Sequence, residues 1–158
     1  MKILVVFYSK TGNTRMVAKE ISSILNTDID EITDKRNREG VLGWMWGGHD
    51  SAFKKNTEIE FKNNPFMYEL VVIGTPIWAF TITPAIRTYL SNNKFKKVAF
   101  FCTSAGSGIK RTLKEMEKLT GKPIAVLSLK SKAWSVKLDL EKDNNHNRIK
   151  EFCKKLIS

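Results

Sequence analysis

Residues 2–8, KILVVFY, form a nearly unbroken apolar run. A strand with one wet face alternates, so an unbroken run predicts a strand covered on both faces, as in a parallel sheet. Beyond SKTGN, residues 14–25 place Met16 or Val17, Ile21 and Ile24 or Leu25 at helical spacing. Strand, short loop and helix make the opening of a βαβ unit. DIDEIT at 28–33 predicts a short second strand with Ile29 on one face. Residues 34–56 are irregular, with Gly40, Gly43, Gly47 and Gly48 around Trp44, Met45 and Trp46. They read as a long loop with a short helix near 50–55, and a connection of that length is uncommon without a use. ELVVIG at 69–74, KVAFFC at 97–102 and PIAVLSL at 123–129 predict three more strands. Helices are predicted at 83–91, with Pro84 in the first turn, and at 109–119, ended by Gly121. A last helix at 146–157 has Ile149, Phe152, Cys153, Leu156 and Ile157 as its apolar face. Five strands alternating with helices predict a three-layer α/β/α sandwich.

The 158 residues suit one domain spanning 1–158, able to bury roughly two-thirds of its unfolded surface without a metal or disulfide. A hydrophobic content of 42% with nine phenylalanines excludes a disordered chain. No run reaches the roughly 18 apolar residues of a membrane span. The first apolar run ends in a Gly/Asn turn rather than a small-residue cleavage site, so it reads as a strand and not a signal peptide. Cys102 and Cys153 form no CxxC pair and no disulfide framework, and a reducing, cytoplasmic setting is expected.

Charge adds a question. Twenty-seven lysines and arginines oppose 16 acids, a net charge of +11. Residues 1–90 hold 11 basic and 10 acidic side chains, whereas residues 91–158 hold 16 and 6. Lys94, Lys96, Lys97, Lys110, Arg111, Lys114, Lys118 and Lys122 make the densest part. Such a field attracts nucleic acid, an anionic membrane or an acidic protein, or it only solubilises.

The strand–helix connections of a parallel sheet emerge together at the strands' carboxyl ends, where ligands bind. Three of them carry chemistry. Ser9-Lys10-Thr11-Gly12-Asn13-Thr14 sets three hydroxyls and a glycine before a helix N-terminus, whose unpaired N–H groups and dipole favour an anion such as phosphate. Neither GxxxxGK[ST] nor GxGxxG is present, which argues against a nucleoside triphosphatase or a dinucleotide fold. The alternative is a plain helix cap with Asn13 as the capping residue. Thr75-Pro76-Ile77-Trp78-Ala79-Phe80 places two aromatics just past a strand end, where a ring can stack on a planar ligand or pack against the next helix. Thr103-Ser104-Ala105-Gly106-Ser107-Gly108 can bend around a ring edge and offer backbone donors and acceptors, or serve as a simple connector. A phosphate pocket beside a flat aromatic bay matches the two ends of FMN.

The chain resembles the flavodoxin family from first strand to last helix. YSKTGNT at 8–14 resembles the family's phosphate loop T/S-x-T-G-x-T, matching at Ser9, Thr11, Gly12 and Thr14. GTPIWAFTITPAIRTYL at 74–90 resembles the second flavin loop, with Trp78 where an aromatic commonly covers the isoalloxazine, and CTSAGSG at 102–108 resembles the third. The resemblance implies a five-stranded parallel sheet in the order 2-1-3-4-5, non-covalent FMN and one-electron transfer with redox proteins. It implies cofactor contacts at Ser9, Lys10, Thr11, Gly12, Asn13, Thr14, Pro76, Ile77, Trp78, Ala79, Phe80, Thr103, Ser104, Ala105, Gly106 and Gly108. Many flavodoxins have a glycine near flavin N5 that lets a peptide flip on reduction; here the position holds Ala79, whose Cβ resists the flip. Related branches are NAD(P)H-dependent quinone or FMN reductases, often oligomeric, whereas a carrier is expected to be a monomer.

Outside these loops, His49 and His146 read as surface residues, although His49 can reach the flavin if its loop folds over. Cys102 and Cys153 read as apolar filling, and Ser104 and Ser107 lack a base that would make either a nucleophile. WMWGGHD at 44–50 can cover the flavin edge, form a substrate pocket, meet a partner or pack on the sheet. Three functions follow: an electron carrier, a flavin-dependent reductase of small acceptors, or a basic nucleic-acid-binding or interaction module. The flavin loops argue against nucleic acid. Because flavodoxins are usually acidic, a basic face near the flavin would predict an acidic, ferredoxin-like partner; on the far side it would be solubility alone.

Overall fold

The computed structural model describes residues 1–36, 56–133 and 136–158. The expected helix near 50–55, the WMWGGHD segment and His49 lie outside those residues. The elements run β1 (Ile3–Phe7), α1 (Asn13–Leu25), β2 (Asp28–Glu31), β3 (Thr33–Asp34), β4 (Ile59–Glu60), β5 (Leu70–Trp78) and β6 (Thr81–Ile82). Then come α2 (Pro84–Asn92), β7 (Val98–Ser104), α3 (Ile109–Thr120), β8 (Val126–Lys130) and α4 (Asn145–Ile157). The main strands lie in the order β2-β1-β5-β7-β8, all parallel, and helices cover both faces. This is the three-layer sandwich with the 2-1-3-4-5 order. β6 adds an antiparallel return on β5, and β3 pairs with β4 as a separate small ribbon.

Alternation along β1 explains why its run is unbroken. Ile3, Val5 and Phe7 face α1 and α4 with Val72, Phe101 and Ile149, while Leu4 and Val6 face the other layer with Ile73, Ile86, Tyr89 and Phe100. Both sides are dry, so both sets are apolar. At the centre, Gly74 of β5 sits opposite Phe101 of β7. A Cβ at Gly74 would fall 2.0 Å from Phe101 Cζ, so the ring occupies the space that the glycine leaves.

Several positions differ from the sequence expectation. In α1 the expected stripe is met by Val17, Ile21 and Leu25, with Ala18 added to it, while Ile24 is the exposed one of its pair. On β2 the inward residue is Asp30 rather than Ile29, which is exposed. Burial of that carboxylate is tolerable because Oδ2 accepts the N–H groups of Lys62 and Asn63, at 2.7 Å each. Ile157 is also exposed, one residue past the Leu156 that closes the apolar face of α4. The last strand begins at Val126, with Ile124 donating its N–H to Val98 as the chain enters it.

Candidate functional site

β1 ends at Phe7, and the chain turns through Tyr8–Gly12 into α1. Gly12 is the residue before the helix, at φ +96°, a region that disfavours any side chain. Ser9 braces the turn from inside: its Oγ accepts the N–H groups of Gly12 and Arg15, each at 3.2 Å. The Ser9 oxygen is thus used internally, and its own proton is what it can still give. Thr14 is buried, with its hydroxyl 2.8 Å from that of Thr103, so the first loop is latched to the end of β7. Thr11 is the exposed hydroxyl of the three.

Asn13 does not cap the helix. As the first residue of α1 it is buried, with Nδ2 donating to Val136 O at 3.0 Å and Oδ1 accepting from Leu138 N–H at 2.8 Å. One amide therefore clamps a segment more than 120 residues away, and that segment closes one side of the site. Arg15, in the same first turn, makes a forked bond to Glu31, with Nε at 2.9 Å and Nη2 at 2.6 Å. The hydrogen bond to Glu31 raises the guanidinium pKa further, and the carboxylate offsets its charge beside the loop.

The second loop is a strand for most of its length. β5 continues to Trp78 because β6 folds back to pair with it, Trp78 opposite Thr81 and Ile77 opposite Ile82. The two residues between, Ala79 and Phe80, have φ of +46° and +65°. Two successive positive φ values in a two-residue hairpin match the twist of the strands, and Asn-Gly normally fills such a turn. Here two residues with side chains hold it. Trp78 and Phe80 differ in exposure. Trp78 is 7% exposed and packed, with its ring edge-on to Tyr8 at 5.6 Å, because the extended strand carries it back over the sheet. Phe80, at the turn, is 59% exposed.

Two contacts lock this hairpin. Gly108, at φ +105°, lies directly under Phe80: a Cβ there would stand 2.6 Å from Phe80 Cα and 2.9 Å from its carbonyl carbon and oxygen. On the other strand, Thr81 donates its hydroxyl to Glu115 of α3. Glu115 Oε1 in turn receives Nε and Nη2 of Arg87 from α2, at 3.0 and 2.8 Å, with both side chains largely removed from water.

The third loop also begins inside a strand, since β7 includes Thr103 and Ser104, paired to Leu129 and Lys130 of β8. Only 105–108 are loop. Between these three segments opens a cleft lined by Lys10, Thr11, Asn13, Pro76, Ile77, Trp78, Thr103, Ser104 and Ala105. Ser9, Gly12, Thr14, Ala79, Phe80, Gly106 and Gly108 do not line it; all but Gly106, which faces open space, sit in the contacts and turns around it. Lys10 Nζ stands 5.7 Å over the Trp78 ring, so its cation lies between the first loop and the aromatic wall of the cleft. The Ser104 hydroxyl is buried and has no hydrogen-bond partner among the described residues. A buried hydroxyl of that kind is costly unless a ligand completes it. Sequence reasoning missed Ser131 and Leu138, which complete the lining. The clues were the residues just past the fifth strand, where Ser131 N–H donates to Ser104 O at 2.9 Å.

The remaining candidates are structural. Cys102 is buried in β7, and desolvation pushes its thiol from 9.0 to about 12. Cys153 is buried in α4 with its thiol pushed up to about 11, chiefly by desolvation. His146 Nδ1 meets Glu20 Oε1 at 3.0 Å, tying α4 to α1. Among the described residues no helix is long and apolar enough to cross a membrane.

Comparison with known proteins supports the geometry. The family model described as Flavodoxin matches residues 2–131. A flavoprotein from Lactobacillus acidophilus, solved in complex with FMN, is 26% identical at a TM-score of 0.68, over 80% of this chain and 92% of that one. A structure from Bacteroides uniformis superimposes with a TM-score of 0.74 at 22% identity, covering 97% of each chain. One from Bacteroides eggerthii gives 0.73 at 22%, covering 99% of this chain and 98% of that one. No curated protein matches the chain.

Proposed function

The chain belongs to the flavodoxin family, and we propose that it holds FMN in this cleft and carries single electrons between redox proteins. The observation that carries the reading is the cleft's complementary ends. At one, a helix N-terminus with a glycine before it, exposed Thr11 and Lys10 suit a phosphate. At the other, Pro76, Ile77 and Trp78 make an apolar wall opposite the unpartnered Ser104 hydroxyl, which suits the edge of a planar heterocycle. The donor set fits FMN. When bound, the isoalloxazine supplies one- and two-electron chemistry that no side chain here provides.

The chain's own residues would do the rest. Lys10, Thr11 and the first turn of α1 bind and orient the phosphate. Trp78 keeps water from one side of the ring, which disfavours added negative charge and so lowers the potential of the reduced couple. The Ala79–Phe80 turn, with Cβ atoms at positive φ and Gly108 packed beneath, resists peptide rotation. A rigid turn of this kind keeps reorganisation on reduction small.

Anaerobic reductive titration of the FMN-loaded protein tests the proposal. A carrier accumulates the one-electron-reduced flavin in the visible spectrum and is not reduced at useful rates by NAD(P)H alone. Direct two-electron reduction, with turnover on NAD(P)H and a quinone, would assign the cleft to a reductase instead.

A further inference from the structure

Besides further basic residues along α3 and α4, the basic C-terminal part of the chain places two groups at opposite edges of the sheet. Lys94 and Lys97 precede β7, and Lys122 follows α3, so all three sit at the amino end of the central strands. Lys130, the last residue of β8, is level with Ser104 in the strand pairing and stands beside the cleft. Lys132 and Lys137 flank Ser131 and Leu138, the two lining residues past β8, and Lys110 and Arg111 occupy the first turn of α3. All five are exposed, and none forms an ion pair among the described residues. Asp139 is the acid among them, 3.7 Å from Lys142. Phe80, exposed on its backbone contact with Gly108, adds an aromatic tip next to Lys110 and Arg111.

We infer that this lysine-rich rim around the cleft, with Phe80 at its apolar point, docks an acidic redox protein that exchanges single electrons with the flavin. The inference rests on the flavin reading proposed above. Charge complementarity chooses the partner: an unneutralised positive rim speeds encounter with a negative protein and repels a basic one. An exposed aromatic among charges is the usual anchor of such an interface. The transfer is balanced as one electron leaving the reduced partner for the oxidised flavin. No bond is broken, and any proton taken up by the flavin comes from solvent.

The far edge supplies an internal control. β7 has seven residues, which at about 3.3 Å each separates the edges by roughly 20 Å, more than twice the screening length of about 8 Å at physiological salt. The rim triple Lys130→Glu/Lys132→Glu/Lys137→Glu and the far triple Lys94→Glu/Lys97→Glu/Lys122→Glu change net charge equally. Each FMN-loaded protein is mixed in a stopped-flow instrument with reduced plant-type [2Fe–2S] ferredoxin, a strongly acidic carrier. The rim triple should lower the second-order rate constant by about tenfold or more at low salt, with the difference fading at high salt. The far triple should stay within about twofold.

Equal loss in both triples would reduce the effect to net charge and overturn the proposal, as would no loss in either. Loss of direct reduction by NADPH in the rim triple, with the ferredoxin rate intact, would give these lysines to a dinucleotide and overturn it too. FMN titration of each protein is read separately. If the chain takes up no FMN, the flavin reading fails, and the docking face is still judged from ferredoxin affinity for the unloaded triples.

Discussion

Replacing Gly108 with alanine should both unfold the chain more easily and disturb the cleft. Two costs add at this residue. Its φ of +105° is a conformation that costs a side-chain-bearing residue about 1–3 kcal/mol. The new Cβ would also lie 2.6 Å from Phe80 Cα, whereas carbon atoms rest at about 3.5–4.0 Å, so the hairpin must lift by about 1 Å. The obstacle is backbone, which cannot rotate aside, and overpacking of this kind costs about 1–3 kcal/mol. Together they come to about 2–6 kcal/mol. Two other glycines separate the contributions. Gly12→Ala meets the same backbone cost, at φ +96°, with no neighbour nearer than 4.0 Å, and should lose about 1–3 kcal/mol. Gly106→Ala meets neither cost and should stay within about 0.5 kcal/mol. Urea unfolding of the three variants, read at constant slope, gives the ranking. Gly108→Ala should also weaken FMN binding in a fluorescence titration, because lifting Phe80 moves Trp78. A Gly108→Ala protein as stable as Gly106→Ala would refute the contact and the interlock of the two loops.

Arg87→Met leaves the largely buried Glu115 carboxylate without its guanidinium and should cost about 3–5 kcal/mol in urea unfolding; the double variant Arg87→Met/Glu115→Met should recover much of it. Asn13→Ala removes both bonds of the clamp and leaves the Leu138 N–H buried, so stability should fall by about 1–3 kcal/mol and exchange of that amide should accelerate. Cys102 gives a pH dependence. Its thiol pKa is raised in the folded state, so its contribution is whole below pH 9 and is lost as pH rises toward about 12. Wild type should therefore lose stability across that window more steeply than Cys102→Ala, by on the order of 4 kcal/mol at the limit, measured by unfolding at stepped pH.

The buried layers of this fold are legible because burial on both faces forces unbroken apolar runs, as in 2–8 and 97–102. Strand ends are less so. Nothing local announces that β5 passes Gly74, since the partner that extends it, β6, is two residues long. Its turn is Ala-Phe rather than Asn-Gly, so the usual hairpin signal is missing, and with it any local sign of the exposure of Phe80 at the turn and the burial of Trp78 on the strand. Asn13 reads as a cap because capping is a local chemistry; its partners at 136 and 138 are supplied by topology alone. Asp30 misleads for the same reason, its two N–H donors lying more than 30 residues on. Nine of the 16 expected contact residues line the cleft; of the others, Gly12, Ala79, Phe80 and Gly108 hold the positive-φ turns beside it and Ser9 and Thr14 the bonds that brace the first loop.

The central claim is that the three loops hold FMN between the first turn of α1 and Trp78. Backbone amide NMR of the unloaded protein during titration with FMN tests it in one measurement. Saturable shifts should concentrate at residues 9–14, 77–80 and 103–106, with Ser131 and Leu138 included and the edge at Lys94–Lys97 unmoved. Shifts centred elsewhere, or none at millimolar FMN, would contradict it.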